Sequence, residues 1–403
     1  MSTSLLYHAF AIRGYDYVKT DYAQGTVTFT VGQRPQDWRC AACGCRQVIG
    51  RGNIARRFRT VPIGRRPVFI VLPVQRVGCL LCGAVRQVEV PFADPRRSYT
   101  RAFERYALEL SQHMTIKAVA HHLGLSWDVI KDMQKRDLQR RFGRPRLADL
   151  KQIAIDEIHL GKKQGYVTVV LDLASGAIVF VGESKGAAAL EPFWKRLNHS
   201  GAVIDAVAMD MSPAYILAVQ THLPWAVIVF DHFHVIKLFN EKLSQLRRDL
   251  HQQAAAEDQE VLKGTRWLLL KNPEDLDPAR DELRRLEKAL RLNQPLATAY
   301  YLKEELRQLW AQADKAAANT FLESWIARAQ ASGIEVLRRF AKTLRRHEEG
   351  LLAYYDYPLS TGPLEGTNNK IRALQRQAYG FRDLEFFKLK LMALHETKYA
   401  LVG

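Results

Sequence analysis

Three acidic residues lie where the sequence predicts the end of a strand or the start of a helix. Asp156 follows the apolar run 152–155, Asp210 follows Ala206–Met209, and Glu365 comes near the start of the final predicted helix. Carboxylate oxygens are the ligands that Mg²⁺ and Mn²⁺ prefer, and phosphodiester chemistry uses two such ions about 3.5–4 Å apart. The three carboxylates are therefore candidate catalytic residues that hold two Mg²⁺ (or Mn²⁺) ions.

The residues that follow Glu365 add an amide and two guanidinium groups. Asn369, Arg372 and Arg376 follow Glu365 at offsets of 4, 7 and 11 residues, so we predict that they share its helix face and bind DNA. The alternative is a solvated polar face, which is credible for Arg376. It is less credible at Asn368 and Asn369, because asparagine is a poor helix former.

Other acidic residues compete for the same role. Glu157 adjoins Asp156, but successive side chains of a strand point to opposite faces, so we expect one of the two to face the metal ions. The acidic residues at the remaining strand edges rank lower as candidates, and these are Asp172, Asp205 and Asp231.

Four of the five cysteines form two CxxC pairs, Cys40 with Cys43 and Cys79 with Cys82, separated by 35 residues. Two such pairs supply the four thiolates of a tetrahedral structural Zn²⁺ site, and the gap can hold an inserted hairpin. A redox CxxC would instead occur singly near a βαβ pattern. The alternative is a coincidence of buried thiols. Cys45 could replace Cys43 as a ligand, although a free thiol beside the site is the simpler interpretation.

Residues 115–130 have the pattern of a helix-turn-helix. Ala120 is small where two helices would cross, Gly124 can adopt a positive φ, and Ser126 can cap the second helix. The second helix enters the major groove in such motifs, so we predict DNA binding by Ser126, Trp127, Lys131, Lys135, Arg140 and Arg141. Arginines around the motif suit phosphates: Arg96, Arg97, Arg136, Arg144 and Arg146. The alternative is a plain helical hairpin with a solvated basic face.

The chain is strongly basic, with 59 Lys and Arg against 42 Asp and Glu, a net charge of +17. Residues 1–150 hold 25 of the basic and 11 of the acidic residues. Such an excess favours polyanionic partners, nucleic acid ahead of anionic lipid. The apolar runs are far shorter than the ~20 residues of a membrane span, and residues 1–10 lack the pattern of an export signal. We therefore expect a cytoplasmic, nucleoid-associated protein without a membrane partner.

The order of patterns along the 403 residues predicts several domains. Short apolar runs between Gly, Pro and Arg predict a small β domain with the zinc site over 1–95, and helical spacing predicts the helix-turn-helix domain over 96–147. Strands and helices alternate over 150–234, which is typical of an α/β core. Amphipathic stretches without strand signal fill 235–355, and the final helix follows within 356–403.

Together these motifs resemble those of bacterial insertion-sequence transposases of the DDE class, specifically the ISL-three (ISL3) family. The resemblance covers nearly all of the chain. It is carried by the two CxxC pairs and by residues 123–127, 155–158, 165–172, 210–212, 231–235, 362–372 and 379–382.

The resemblance implies a zinc ribbon, a helix-turn-helix and a ribonuclease-H-like catalytic core. An all-helical insertion interrupts this core, whose first segment is 150–234 and whose second segment, with the catalytic Glu365, is 356–403. The resemblance implies Asp156, Asp210 and Glu365 as the acidic triad of a two-metal mechanism for DNA cleavage and strand transfer. Residues 231–234 are similar to a Cys/Asp-x-x-His signature whose role is largely structural. The implied partners are double-stranded DNA, as inverted-repeat ends and as target, and a second copy in a homodimer on DNA.

Two other functions compete with this one. His232 and His234 could hold one metal ion of an HUH-type nickase, with a nucleophilic tyrosine from the pairs Tyr300–Tyr301 or Tyr354–Tyr355. That chemistry leaves the three carboxylates unexplained. The other alternative is a DNA-binding repressor with an inactive core, against which the intact carboxylates argue.

Overall fold

The structure is a computed structural model that describes residues 3–161, 165–254, 259, 261–263, 265–359, 362–378 and 380–395. The chain forms two compact units, residues 1–140 and 141–403. Within the described residues, no helix is both long and apolar enough to cross a membrane. Of the motif at 379–382, Tyr379 lies outside the described residues.

The first unit is built around a five-stranded sheet. Its elements are α1 (Thr3–Phe10), β1 (Asp16–Ala23), β2 (Thr26–Gly32), a 3₁₀ turn (Pro35–Asp37), β3 (Val48–Ile63), β4 (Arg66–Cys79) and β5 (Val85–Gln87). The strand order is β1-β2-β4-β3, and β5 pairs with β4. The long antiparallel β3–β4 hairpin fills the gap between the two CxxC pairs, a gap long enough to hold an inserted hairpin. Alternate residues of β4, such as Ile70 and Leu72, are fully buried, so one face of the sheet covers the core.

Three helices complete the first unit: α2 (Arg101–His113), α3 (Ile116–Leu123) and α4 (Trp127–Phe142), which ends just beyond it. Thr115 caps α3 by accepting from the Ala118 N–H at 3.1 Å. Gly124 ends α3 with φ of 63°, and the Leu125 N–H donates to the Ala120 carbonyl at 2.9 Å, so the turn needs the left-handed conformation that glycine tolerates. The three helices share a core that includes Phe103, Val119 and Ile130.

The second unit contains a mixed sheet with the order β10-β9-β6-β7-β8. The strands are β6 (Gln152–Gly161), β7 (Gly165–Asp172), β8 (Ile178–Glu183), β9 (Ala206–Met209) and β10 (Val227–Phe230), and the connecting helices are α5 (Glu191–Ser200) and α6 (Pro213–His222). β6, β7 and β8 are antiparallel neighbours, whereas β9 and β10 run parallel to β6. This is the predicted ribonuclease-H-like core, with β6 in the centre and β9 beside it.

The position of Asp156 in its strand differs from the prediction. Asp156 is the fifth residue of the ten-residue β6 and does not end it. Pairing with β7 continues to Gly161, whereas the parallel pairing with β9 stops at Ala154. Asp156 therefore lies in mid-strand but just beyond the last residue of β6 that pairs with β9.

Helices follow β10, and the described residues between 232 and 355 contain no strand. The helices are α7 (His232–Gln253), α8 (Arg266–Leu270), α9 (Glu282–Leu292), α10 (Gln294–Leu306), α11 (Lys315–Ala331), α12 (Glu335–Arg346) and α13 (Glu348–Leu352), with 3₁₀ turns at Pro273–Asp275, Pro278–Arg280, Arg307–Ala311 and Ala353–Tyr355. Phe239, Trp325 and Phe340 form a buried aromatic group among these helices. They belong to the same hydrophobic core as Ile153, Val170 and Val207 of the sheet.

The described end of the chain holds two helices where the pattern predicts one. α14 spans Gly362–Gln377 and α15 spans Leu384–Met392, followed by a 3₁₀ turn at Ala393–His395. α14 begins at Gly362 itself, with Pro363 in its first turn, where proline is tolerated. Lys388 of α15 donates to Glu183 at the end of β8 at 2.7 Å.

Candidate active site and metal centre

Two of the predicted catalytic aspartates come just after the segments through which two adjacent parallel strands pair. Ala154 of β6 pairs with Ala208 of β9, and Asp156 and Asp210 each follow two residues later in the same direction. Both positions lie just beyond the paired residues of the two strands, and the charge of Asp156 acts on the Asp210 carboxyl group, so the two side chains are near each other. The sheet topology therefore brings these two carboxylates together.

The side chain of Asp210 is partly shielded from solvent. Burial raises the pKa of Asp210, an effect that the neighbouring Asp156 and Glu157 reinforce and that the Ser212 N–H and His234 oppose. The Ser212 N–H donates to Asp210 Oδ1 at 3.0 Å. A half-buried carboxylate next to a second one is costly to ionise, and a bound cation would reduce that cost.

The helix α14 contacts Asp156 through an asparagine that is not among the predicted site residues. Asn368 Nδ2 donates to Asp156 Oδ2 at 2.7 Å, and Gln375 Nε2 donates to the Leu160 carbonyl of the same strand at 3.4 Å. Asn369, the predicted residue, is exposed, whereas Asn368 is half-buried. The sequence signal for Asn368 is its three-residue spacing from Glu365, which places both on one side of the helix.

Glu365 lies one turn before Asn368 on α14 and is exposed. Asp156, Asp210 and Glu365, all among the described residues, do not form a compact group of metal-ligand atoms of the kind that four cysteines form elsewhere in the chain. The two aspartates thus lie near each other. Glu365 lies about 4.5 Å along the helix axis from Asn368, the residue that contacts Asp156.

A histidine from the Asp-x-x-His segment also reaches this site. Asp231 is buried, caps α7 by accepting from the Phe233 N–H at 2.9 Å, and binds His234 Nδ1 at 2.7 Å. His234 Nε2 lies 3.9 Å from Asp156 Oδ1. Burial by itself would lower the pKa of His234, but the hydrogen bond and charge of Asp231, with Asp156 and Asp210, raise it above its usual value. Asp231 therefore orients a histidine toward the aspartate pair.

Glu157 faces away from this pair, as the alternation of strand side chains predicts. Its Oε1 accepts from Tyr215 Oη at 2.6 Å and from the Gly186 N–H at 3.0 Å. Asp172 is likewise occupied, because it accepts from the Ser175 N–H at 2.9 Å in the β7–β8 turn. Asp205 lies at the other end of β9 from Asp210.

Four cysteines of the first unit form a compact set of sulfur atoms. All four Sγ atoms, of Cys40, Cys43, Cys79 and Cys82, lie within 4.8 Å of one another. Cys40 and Cys82 are 3.7 Å apart, and Cys43 and Cys79 are 3.6 Å apart. Tetrahedral Zn–S bonds of about 2.3 Å place sulfurs about 3.8 Å apart, so the set fits Zn²⁺. Cys45 is not in it.

The two CxxC turns have matching backbones. The Gly44 N–H donates to the Cys40 carbonyl and the Gly83 N–H to the Cys79 carbonyl, at 2.8 and 3.1 Å. Both glycines have positive φ values, 72° and 69°. The N–H groups of Cys82 and Leu81 point at the Cys79 sulfur and lower the pKa of that thiol to about 6, which favours the thiolate that metal binding needs.

Comparison with known proteins decides the family. Residues 153–391 match the ISL3 family model described as "Transposase", and residues 88–137 match the model of the helix-turn-helix domain of transposase family ISL3. The chain belongs to the ISL3 family of DDE transposases. This membership excludes the HUH-type alternative.

Relatives of this transposase cover most of its length. It is 35% identical over 360 residues to the transposase of IS1001 from Bordetella parapertussis, covering 88% of each chain. It is 31% identical over 372 residues to the transposase of IS1557 from Mycobacterium tuberculosis, covering 85% of this chain and 82% of the relative. The Drosophila P element transposase strand transfer complex matches with a TM-score of 0.39 and 12% identity, covering 76% of this chain and 94% of that one.

The helix-turn-helix of this transposase exposes part of its second helix. Ser126, Asp128, Arg140 and Arg141 are exposed, Trp127 is 46% exposed, and Lys131 lies 5.5 Å from the Trp127 ring and is half-buried like Lys135. Arg136, by contrast, binds Glu104 at 2.8 Å inside the helical domain. Helix α4 thus has an exposed first turn, whereas Arg136 on the same helix is paired internally.

Proposed function

We propose that this transposase recognises the terminal inverted repeats of its own insertion sequence, cleaves the DNA there and joins the freed end to target DNA. The observation that carries the proposal is the position of Asp156 and Asp210, each two residues beyond the last residues at which the adjacent parallel strands pair, with helix α14 contacting Asp156 through Asn368. Membership of the DDE family supports the same chemistry.

The proposed metal ligands are Asp156, Asp210 and Glu365, which would hold two Mg²⁺ or Mn²⁺ ions. When bound, such ions activate the attacking oxygen and stabilise the leaving oxygen of a phosphodiester. The protein's contribution is positional: Asn368 holds one oxygen of Asp156, the Ser212 N–H holds one oxygen of Asp210, and Asp231 orients His234. The raised pKa of Asp210 supports a site that is stabilised by cations.

The remaining assignments concern DNA and structure. Cys40, Cys43, Cys79 and Cys82 hold a structural Zn²⁺. The helix-turn-helix binds the repeats through Ser126, Trp127, Lys131, Lys135, Arg140 and Arg141. On α14, Asn369, Arg372 and Arg376, all exposed, contact DNA near the site of chemistry. Because both element ends are processed, at least two copies act together on DNA, and the protein acts in the bacterial nucleoid.

The test is a cleavage assay on a labelled duplex that carries the element end. With Mg²⁺, the native protein is expected to leave a free 3′-hydroxyl and no protein covalently attached, while D156N and D210N bind the duplex without cutting it. D205N, altered at the opposite end of β9, is the matched control and keeps cleavage. Retained cleavage by D210N, or binding without cleavage by the native protein, contradicts the proposal.

A further inference from the structure

Residues 38–88 of the first unit have an unusual charge composition. They contain ten arginines, no lysine and no acidic residue. This stretch comprises the two cysteine turns and the β3–β4 hairpin between them, followed by β5. A solvated basic face ordinarily mixes lysine with arginine and includes some carboxylates, so the composition points to a more specific use.

Most of these arginines project into solvent without a carboxylate partner. Arg51, Arg57, Arg65, Arg66, Arg76 and Arg86 are exposed. Two others are half-buried and donate to neutral carbonyl oxygens, Arg56 to Arg97 at 2.8 Å and Arg59 to Leu123 at 3.3 Å. None of the ten forms an ion pair with a described residue.

The arginines around the helix-turn-helix are different. Arg97 binds Asp132 at 2.9 Å, Arg101 binds Asp94 at 2.7 Å, and Arg136 binds Glu104. Arg140 binds Asp137 at 2.5 Å in the same way. Arg97, Arg136 and Arg140, which the sequence offers as DNA contacts, are thus paired with carboxylates, whereas the arginines of the hairpin are not paired with any described carboxylate.

The hairpin has the dimensions and rigidity of a DNA-binding surface. Arg51 and Ile63 lie twelve positions apart in β3, which is roughly 40 Å of extended strand and exceeds the ~34 Å of one turn of B-DNA. Arg57 lies 3.5 Å and Arg59 5.0 Å from the Phe69 ring centroid, so cation–π contacts order these side chains. Guanidinium groups bind phosphate with two parallel hydrogen bonds.

We propose that the arginine hairpin, defined as β3, β4, β5 and their connecting turns, is a DNA-backbone binding surface separate from the helix-turn-helix. It binds phosphates of any duplex, and the helix-turn-helix adds sequence preference. Its role at element ends rests on the proposed function, whereas its affinity for duplex DNA does not.

The experiment measures the salt dependence of binding to two duplexes, one with the element end and one of random sequence. The variant R65A/R66A/R86A removes exposed charges from both ends of the hairpin. Each phosphate contact contributes about 0.9 to the slope of log K plotted against log salt concentration. The steepness of this plot is therefore expected to fall by about 2.7 for the variant, and its binding is expected to be on the order of 100-fold weaker at 0.1 M salt. R65K/R66K/R86K retains the charge and is expected to keep the native slope.

The matched control is R34A, because Arg34 is also exposed but is neutralised by two hydrogen bonds to Asp16, at 2.7 and 2.8 Å. It is expected to keep the native slope. Unchanged melting temperature and zinc content establish that the triple variant is folded; if it is not, R65A/R66A at the hairpin turn gives the same test with a slope change of about 1.8.

The outcomes separate this proposal from the proposed function. A native slope for the folded alanine variant on both duplexes overturns the arginine hairpin as a DNA surface. Equal native affinity for the two duplexes overturns recognition of the element end, while a reduced slope of the variant on random DNA still supports the hairpin.

Discussion

The hydrogen bond between Asn368 and Asp156 gives the sharpest prediction at the scale of single residues. N368A removes a charge-assisted bond that is worth about 1.5–3 kcal/mol and frees Asp156, so we expect cleavage to slow by about 10–100-fold with DNA affinity retained. N369A, one position along the same helix, is expected to weaken DNA binding instead. Single-turnover cleavage and equilibrium binding separate the two, and equal effects of both variants on both assays would contradict the assignment.

The raised pKa of His234 predicts a pH-dependent stability. Since the folded-state pKa lies above the unfolded value, protonation stabilises the fold fully below pH ~6.5, and this contribution disappears as pH rises through the folded pKa. The difference in unfolding free energy between native protein and H234Q, measured with urea and without added Mg²⁺ or Mn²⁺, is therefore expected to shrink with rising pH. A difference that grows with pH would show that Asp231 does not hold the charged imidazole.

At this scale the sequence predicts residue types better than their contacts. The four cysteines follow from spacing, because CxxC turns constrain positions locally, and Asp210 follows directly after β9. Asp156 is predicted from an apparent strand end that β6 does not have. Asn368 does not follow from spacing, since it and Asn369 differ by only ~100° of helix phase, and the contact with β6 alone distinguishes them. The orientation of the Glu157 carboxylate is likewise not predictable from the sequence, because it depends on the hydrogen bond from Tyr215.

At the scale of elements, the cysteine turns tie the start of β3 to the end of β4. C40S is expected to lose bound zinc and DNA affinity together, because an incomplete site releases both turns. C45S is the matched control, since Cys45 lies beside the set and is not part of it. Zinc content after purification and a thermal melt check both variants. Stoichiometric zinc in C40S would contradict the assignment of Cys40 as a zinc ligand.

Element boundaries are where sequence patterns mislead. The polar pair at 156–157 looks like a strand end, yet Ile158 and Leu160 are buried and β6 continues. In the arginine-rich edge strand β3, residues 49–55 are all exposed and buried residues alternate only near its end. Hydrophobic periodicity therefore does not reveal its pairing with β4. Helix α15 follows α14 too closely to be separated by pattern alone.

At the scale of the whole molecule, the helical region and the α/β sheet of the second unit share one hydrophobic core. W325A, at a fully buried position next to Phe239 and Phe340, is expected to cost about 3–5 kcal/mol. Helix and sheet should lose this stability in a single transition, which calorimetry of the native chain and the variant can follow. Separate melting of the helical region would contradict a shared core.

The order of domains is predictable from the sequence, but this continuity of the core is not. Residues 235–355 have the amphipathic pattern of an insertion, and that pattern does not tell which neighbour covers each apolar face. Leu351 and Leu352 of α13, for example, belong to the core of the sheet. The packing at Gly350 is close, since a Cβ atom at this position would lie 2.5 Å from the Phe230 ring of β10.

Asp156, Asp210 and Glu365 are proposed to act as one set of divalent-cation ligands. The most direct measurement is Mn²⁺ binding by electron paramagnetic resonance, with the protein bound to a duplex that carries the element end. We predict that the native complex binds Mn²⁺ in excess of the duplex alone, and that D156N, D210N and E365Q each lose this binding while D205N retains it. Native Mn²⁺ binding by E365Q would contradict the claim.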